Sequence, residues 1–562
     1  MPYYCNPVNI SYRYQFHRTP EGAAVCRESA DPSAVYFKGR YYIFASMTLG
    51  VWVSDDLVTW ENRRLPEELP LYQYAPDACV IGEYLYICAT QGGEKTYVFR
   101  TKDVLNGPYE RLEGLCAGGD PHLFRDDDGR VYFYWGCTNW EPIWGVEVDA
   151  DTMKPLGEKV PLIWEAPFKN GYERVGEDNC VTPRTENGER KNYPWIEGAW
   201  MTKYDGRYYL QYACPGTQYN TYADGVYVSD RPLGPFAQAE NNPFSLAPGG
   251  FLPGAGHGST LRDEQGRYWH IATQRISVNH MFERRVGIWP AGFDADGEMV
   301  CDQRYGDWPR SADAPLWQEP QWYLLSYNRK VTASSHAPGH GPALAAEEDV
   351  RTWWQAASAE SGQWLEVDLG CAKQVHAVQV NFADDSIALP SPGAIREVGS
   401  RYIEERELPL RWVLEGSADG EHYTVIADRS AQAEDRPHDL MVWEEGLQLR
   451  YVKLTVLQVP YGLAPCVSGL RVFGLGSGEK PARPAFTAAR TGDTDMAVIC
   501  EAEGAVGFNI LWGHRPDKLY HSYLTYAPRQ AIGALVKGQD CYVRVDAFNE
   551  CGITCGETVK LN

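Results

Sequence analysis

Along the first 325 residues, apolar and polar side chains alternate with a period of two in short runs, and the runs come in pairs joined by polar turns. A period of two predicts half-buried strands rather than helices. The clearest pair starts at Glu197. Ala199-Trp200-Met201-Thr202-Lys203-Tyr204 reads as a strand, Asp205-Gly206 as a two-residue hairpin turn, and Arg207-Tyr208-Tyr209-Leu210-Gln211-Tyr212-Ala213 as the returning strand.

The pattern recurs four more times. Asp31-Pro32-Ser33 leads into Ala34-Val35-Tyr36-Phe37, a Lys38-Gly39 turn and Arg40-Tyr41-Tyr42-Ile43-Phe44. Ala75-Pro76-Asp77 leads into Ala78-Cys79-Val80-Ile81 and then Tyr84-Leu85-Tyr86-Ile87. Asp120-Pro121-His122 opens a third copy, which turns at Asp126-Asp127-Asp128-Gly129, a run read as a solvated hairpin turn because the rest of a calcium-binding EF-hand loop is missing. Gly256-His257-Gly258-Ser259 opens the fifth. A further strand follows within copies, as in Gly50-Val51-Trp52-Val53 and Gly225-Val226-Tyr227-Val228. Five copies of one all-β unit predict a five-bladed β-propeller over residues 1–325, with radial repetition protecting the strand edges.

Past the propeller the pattern changes twice. Residues 328–475 hold longer alternating strands between Gly-rich turns, including Thr352-Trp353-Trp354-Gln355, Trp364-Leu365-Glu366-Val367-Asp368-Leu369-Gly370 and Leu470-Arg471-Val472-Phe473-Gly474, which reads as an antiparallel sandwich. In this order they resemble the discoidin (factor V/VIII type C) jelly roll. The resemblance implies a jelly-roll β-sandwich of the kind used by carbohydrate-binding modules, with either a sugar-binding or a structural role. The stretch Leu389 to Glu407 interrupts this segment with an insertion rich in Pro, Gly and charge, and a reach toward the propeller mouth is one use for it. Gly476 to Ala485 is a Gly/Pro/Lys linker. In residues 484–562, Tyr542-Val543-Arg544-Val545-Asp546-Ala547-Phe548-Asn549 resembles a central strand of a fibronectin type III β-sandwich, which implies a spacer or docking module.

Composition narrows the partners. Net charge is −23, which disfavours nucleic acid and anionic membrane surfaces, since both call for clustered Lys and Arg. No apolar run reaches the roughly 18 residues of a membrane-spanning helix. Aromatic content of 13% suits strand packing and equally suits stacking on the apolar faces of sugars. Met1-Pro2-Tyr3-Tyr4-Cys5-Asn6 lacks the basic and apolar regions of a signal peptide, and the 15 cysteines show no Cys-x-x-Cys pair. Both point to free thiols in a reducing cytoplasm, with a mature secreted form as the alternative.

Equivalent residues of propeller repeats meet at the axis. The repeats therefore predict that Asp31, Asp77, Asp120, Glu197 and His257 converge on one funnel. Carboxylates crowded together raise each other's pKa at a cost in energy, so their gathering calls for a chemical reason. Two such groups can hydrolyse a glycosidic bond, one donating a proton to the leaving oxygen and one activating water; a separation of roughly 6.5–9.5 Å leaves room for that water and inverts the anomeric centre. Glu197, flanked by Trp195, Ile196 and Trp200, is expected to have the raised pKa of the acid.

Asp31 in Asp-Pro-Ser, Asp120 in Asp-Pro-His and Glu197 in Glu-Gly-Ala resemble the catalytic elements of glycoside hydrolase family 43. Tyr74-Ala75-Pro76-Asp77 and Gly256-His257-Gly258-Ser259 resemble two further elements of that family, with Tyr74 in place of its usual Trp and Ala199 in place of a common Pro. The resemblance implies a five-bladed propeller with an inverting mechanism: Asp31 as general base, Glu197 as general acid and Asp120 as pKa modulator and orienter. It implies an exo-acting enzyme that releases single sugars from plant-polysaccharide oligosaccharides, as an α-L-arabinofuranosidase first, a β-D-xylosidase second and an exo-β-galactanase third. A sugar-binding propeller without catalysis is the alternative from another class, although it would have no need of acid, base and modulator together. Substrate-binding candidates are Asp77, His257, Trp52, Phe282, Arg284 and Arg285. Trp52 and Phe282 are read as stacking or core residues, and the arginines as partners of sugar hydroxyls, of Glu197, or of Glu283 in a surface ion pair. No cofactor is required. In relatives a histidine at the position of His257 lies near a channel ion, often calcium, which prefers several oxygens; a hydrogen-bonded channel histidine is the other reading.

Overall fold

The computed structural model of the protein describes residues 2–19, 22–70, 74–90, 97–114, 118–389, 397–398 and 401–561. Among these the regular structure is all β, apart from four short 3-10 turns. Five antiparallel sheets carry the repeats. The first runs through Ser33–Phe37, Arg40–Phe44, Gly50–Ser54 and Glu61–Arg64. The second holds Tyr74–Ile81, Tyr84–Thr90, Val98–Thr101 and Glu110–Leu112, and the third His122–Arg125, Val131–Trp135, Ile143–Val148 and Val160–Ile163. The fourth is built on Glu197–Tyr204, Arg207–Cys214 and Ala223–Ser229, and the fifth on Gly256–Arg262, Tyr268–Arg275, Arg284–Phe293 and Met299–Cys301.

Contacts between neighbouring blades, most of them on the innermost strands, close these sheets into a ring. Ala34 N donates to Ser259 Oγ at 3.0 Å, Ala78 N to Ser33 Oγ at 2.9 Å and Leu123 N to Asp77 Oδ2 at 2.8 Å. The ring of His122 lies 4.4 Å from that of Trp200, and Thr260 Oγ1 donates to Gln211 Oε1 at 2.7 Å. Each link joins one blade to the next, and together they make a five-bladed propeller.

At the mouth of the ring every blade starts with a left-handed residue: Asp31 (φ 52°), Ala75 (45°), Asp120 (52°), Gly198 (59°) and His257 (49°). A residue with a Cβ pays about 1–2 kcal/mol for this conformation. It is held because each N–H reaches back to the preceding blade. Asp31 N bonds Thr273 Oγ1, Ala75 N bonds Ser46 Oγ and Asp120 N bonds Thr90 Oγ1, all at 2.8 Å. Gly198 N and His257 N bond Asp120 Oδ2 and Asp224 Oδ1, at 3.2 and 2.7 Å.

This register corrects one expectation. Ala75, not Asp77, is the counterpart of Asp31 and Asp120, as the shared prolines Pro32, Pro76 and Pro121 show.

The second domain is an eight-stranded antiparallel array around a core that includes Trp354, Trp412, Leu365, Leu454 and Val472. Its strands begin at Tyr323–Leu324, paired with Cys466–Leu475, a little ahead of the expected start at 328. The third domain has one sheet of Ala485–Arg490, Met496–Glu501 and Arg529–Ile532, and another built on Gly507–Gly513 and Tyr542–Asn549. It docks on the propeller through backbone bonds, Gly171 N to Leu535 O (2.9 Å) and Gly250 N to Leu524 O (3.0 Å). His521 Nε2 also lies 2.9 Å from Pro243 O. The described cysteines are all free thiols.

Candidate active site

Asp31 and Asp120 project into the mouth because their left-handed backbones turn the start of each innermost strand there. Glu197 comes from the residue just before the equivalent turn at Gly198. His257 ties the two aspartates together, its Nδ1 3.4 Å from Asp31 Oδ1 and 3.6 Å from Asp120 Oδ2. Asp120 and Glu197 have carboxylate oxygens within 4.8 Å of each other.

Each acid has its own partners. Asp31 accepts from Arg284 Nη1 at 3.0 Å and from Ser46 Oγ at 2.6 Å. Burial pushes its pKa up, but Arg284, His257 and the Ser46 hydrogen bond outweigh burial and leave it below the usual aspartate value. Asp120 accepts from Gly198 N at 3.2 Å and from Thr90 Oγ1 at 3.3 Å. Burial, with added repulsion from Glu197 and Asp31, pushes Asp120 up to about 7 despite the opposing pull of His257. His257 is raised: burial works against its charge, but Asp31, Asp120 and Glu197 favour the imidazolium. Glu197 takes Tyr222 OH on Oε1 at 2.5 Å and Cys137 Sγ on Oε2 at 3.4 Å. Burial holds both donors protonated, since it pushes Tyr222 and Cys137 well above their usual values.

The remaining predicted residues divide. Arg284 is buried in the site, bound to Asp31 and Glu28 rather than to Glu197 or a surface partner. Phe282 stands beside it, its ring 4.8 Å from the Arg284 guanidinium carbon. Trp52 is 0% exposed in the blade-one core, so it is no stacking platform. Arg285 is also fully buried, bonded to His438 Nε2 at 2.8 Å and Arg27 O at 2.6 Å, away from any sugar. Glu283 is buried and bound by Asn279, which rules out the surface ion pair. Asp77 spends both oxygens on His122 Nδ1 and Leu123 N, each at 2.8 Å, so it is a tie between blades. The donors around His257 do not suit calcium, which takes six to eight oxygens: the imidazole faces two carboxylates already held by Arg284, Ser46, Gly198 and Thr90.

Trp195 stands largely open to solvent beside Glu197. It is 40% exposed on the rim, 6.1 Å from the ring of Trp140, itself 58% exposed. Backbone bonds in both directions between Thr138 and Ile196 fix this pair next to the Cys137–Glu197 contact. Sequence reasoning missed Trp140, Tyr222, Cys137 and Glu28. None lies in a repeated position, and only the fold brings them to the mouth.

Paired carboxylates at the axis of a five-bladed propeller suit the acid–base hydrolysis of a glycosidic bond. The profile of glycosyl hydrolases family 43 matches residues 25–299. A beta-xylosidase of Xylanibacter ruminicola is 32% identical over 254 residues, which span 37% of this chain and 77% of that protein. A xylosidase/arabinosidase of Humicola insolens is 26% identical over 346 residues, 49% of this chain and 97% of its own length. A beta-D-galactofuranosidase of Aspergillus niger is 25% identical over 287 residues, 44% and 74% of the two chains. The chain belongs to glycosyl hydrolases family 43.

Proposed function

We propose that the protein is an exo-acting, inverting glycosidase that releases single pentoses from plant-polysaccharide oligosaccharides, with α-L-arabinofuranosidase as the leading activity. The observation that carries this reading is the division of labour at the mouth: Asp31 is held ionised by Arg284, while Glu197 lies beside Asp120, whose carboxyl keeps its proton up to about pH 7. Asp31 takes a proton from water as the oxygen attacks the anomeric carbon. The glycosidic C–O bond breaks, and Glu197 gives its proton to the leaving oxygen. Asp120 orients Glu197 through the Gly198 N–H and sets the charge beside it. Tyr222 and Cys137 fix the Glu197 carboxylate by its two oxygens.

The surroundings support attack at a chain end. Phe282, Tyr74 and the half-buried His280 form a wall on the side of Asp31. The exposed Trp140 and Trp195 lie on the side of Glu197, where the leaving sugar would stack. A β-D-xylosidase is the second reading, favoured by the 32% identity to the Xylanibacter ruminicola beta-xylosidase. Hydrolysis rates on aryl α-L-arabinofuranoside, β-D-xyloside and β-D-galactoside test the proposal. Arabinofuranoside should lead, a xyloside lead would move the assignment to the second reading, and no turnover on any of the three would refute an exo-glycosidase.

A further inference from the structure

The hairpin that precedes blade one, Arg13–Thr19 and Gly22–Glu28, gains a strand from another domain. Arg401–Ile403, from the insertion in the second domain, pairs antiparallel with Arg13–Thr19 and sets Arg401 opposite His17. The insertion thus reaches the mouth, though residues 390–396 and 399–400 of it lie outside the described residues.

Arg401 is 1% exposed. Its guanidinium lies over the ring of Tyr74, 4.5 Å from the centroid, and 5.8 Å from that of Phe282. Its Nη2 bonds Glu28 Oε2. Glu28 is fully buried, and its Oε1 takes Arg284 Nη2 at 2.7 Å and Nε at 3.2 Å. Arg284 Nη1 in turn holds Asp31. The four side chains form a buried row of alternating charge: Arg401, Glu28, Arg284, Asp31.

A buried carboxylate with one of its partners removed keeps its desolvation cost and loses the compensation. Burial drives Glu28 toward its neutral form, and Arg401, Arg284 and His17 together hold it well below the usual range. With Arg401 gone, Arg284 would be left as the main counter-charge for both acids. Glu28, less neutralised, would then raise Asp31 more strongly, opposed by Arg284 and His257, with Asp120 and Tyr222 also facing the base. We propose that Arg401 is a positioning residue for the general base. The second domain, through Glu28 and Arg284, sets the charge and orientation of Asp31, and the site is complete only with this insertion seated. The inference rests on reading Asp31 as the base.

The test uses the full chain and the best aryl pentoside. For Arg401→Met the expected result is a drop in kcat of roughly tenfold or more with little change in KM. The acid limb of the kcat/KM profile should rise by about half a unit or more, because Asp31 is less well held. Arg401→Lys keeps the charge and should recover part of both effects, and it is the variant to read if Arg401→Met fails to fold. Asp435→Asn breaks another contact between the same domains, Arg27 Nε to Asp435 Oδ2 at 2.6 Å. It should lower the melting temperature and leave the acid limb in place. Folded Arg401 variants with a wild-type acid limb and kcat would overturn the proposal, as would an equal limb shift in Asp435→Asn. Asp31→Asn separates the two levels: if it keeps its turnover, the base assignment fails and the proposal with it; if its turnover is lost while the Arg401 variants behave as wild type, only the proposal fails.

Discussion

Arg284 Nη1 lies 3.0 Å from Asp31 Oδ1 at the bottom of the mouth, and both side chains are buried. A buried ion pair of this kind gives little net stability, because desolvation offsets the attraction. Its effect is on state: Asp31 stays ionised at pH values where a lone buried aspartate would take up a proton. Asp120, without an arginine, goes the other way. Two acids at equivalent starts of different blades are thus given opposite tendencies, Asp31 toward the ionised form and Asp120 toward the protonated one.

The role of Glu197 can be read from the leaving group. Glu197→Gln removes the proton donor and keeps the shape, so hydrolysis of substrates with poor leaving groups should fall by roughly 10²–10⁴-fold. A dinitrophenyl glycoside needs no protonation and should be cleaved at close to the wild-type rate. Equal losses on both substrates would assign the proton to another group.

Asp120 predicts the alkaline side of the pH profile. Its carboxyl is pushed up to about 7 and is protonated below that value, so kcat/KM should fall as pH rises through about 7. Asp120→Asn cannot ionise and should lose that limb together with much of the rate. An unchanged limb in a folded Asp120→Asn would contradict the assignment.

The two exposed rim tryptophans, Trp140 and Trp195, test where the leaving sugar stacks. Trp140→Ala and Trp195→Ala should each cost roughly 1–2 kcal/mol in kcat/KM on a pentose oligosaccharide. On an aryl pentoside, which has no second sugar, they should cost little. Equal losses on both substrates would mean that the pair only supports the Cys137–Glu197 contact.

Much of the ring was legible from the sequence because the signal repeats. Period-two alternation and paired Tyr-rich strands announce each blade, and Asp31, Asp120 and Glu197 sit at or next to the turns that open three of them. Asp77 resembles Asp31 by residue type, but the shared prolines and the left-handed backbone align Ala75 with it, so conformation and not side-chain chemistry sets the equivalence. Trp52 and Arg285 looked available because burial across two packed elements leaves no mark on a single strand. Glu28, Tyr222 and Arg401 come from a hairpin, the residue just before a third strand and another domain. Such contacts have no periodicity, and only the folded chain brings them together.

Stability should carry the mark of another buried acid. Glu173 accepts from Asn170 Nδ2 and Tyr212 OH at 2.7 and 2.6 Å, and burial still pushes it up to about 7. Its folded pKa exceeds its unfolded value, so its stabilising proton is fully bound below about pH 4.5 and is lost as pH rises through 7. Glu173→Gln lacks this titration. The stability advantage of wild type over Glu173→Gln should therefore shrink by up to about 3 kcal/mol between pH 4.5 and 8, as read by denaturant unfolding. A difference independent of pH would show that Glu173 stays ionised in the fold.

The most direct test of the site as a whole is the stereochemistry of the first product. Proton NMR during hydrolysis of the best aryl pentoside should show the released sugar first as the anomer opposite to that of the substrate, with the other anomer appearing only as mutarotation proceeds. First appearance of the retained anomer would mean that Asp31 attacks carbon instead of activating water, and would contradict the account.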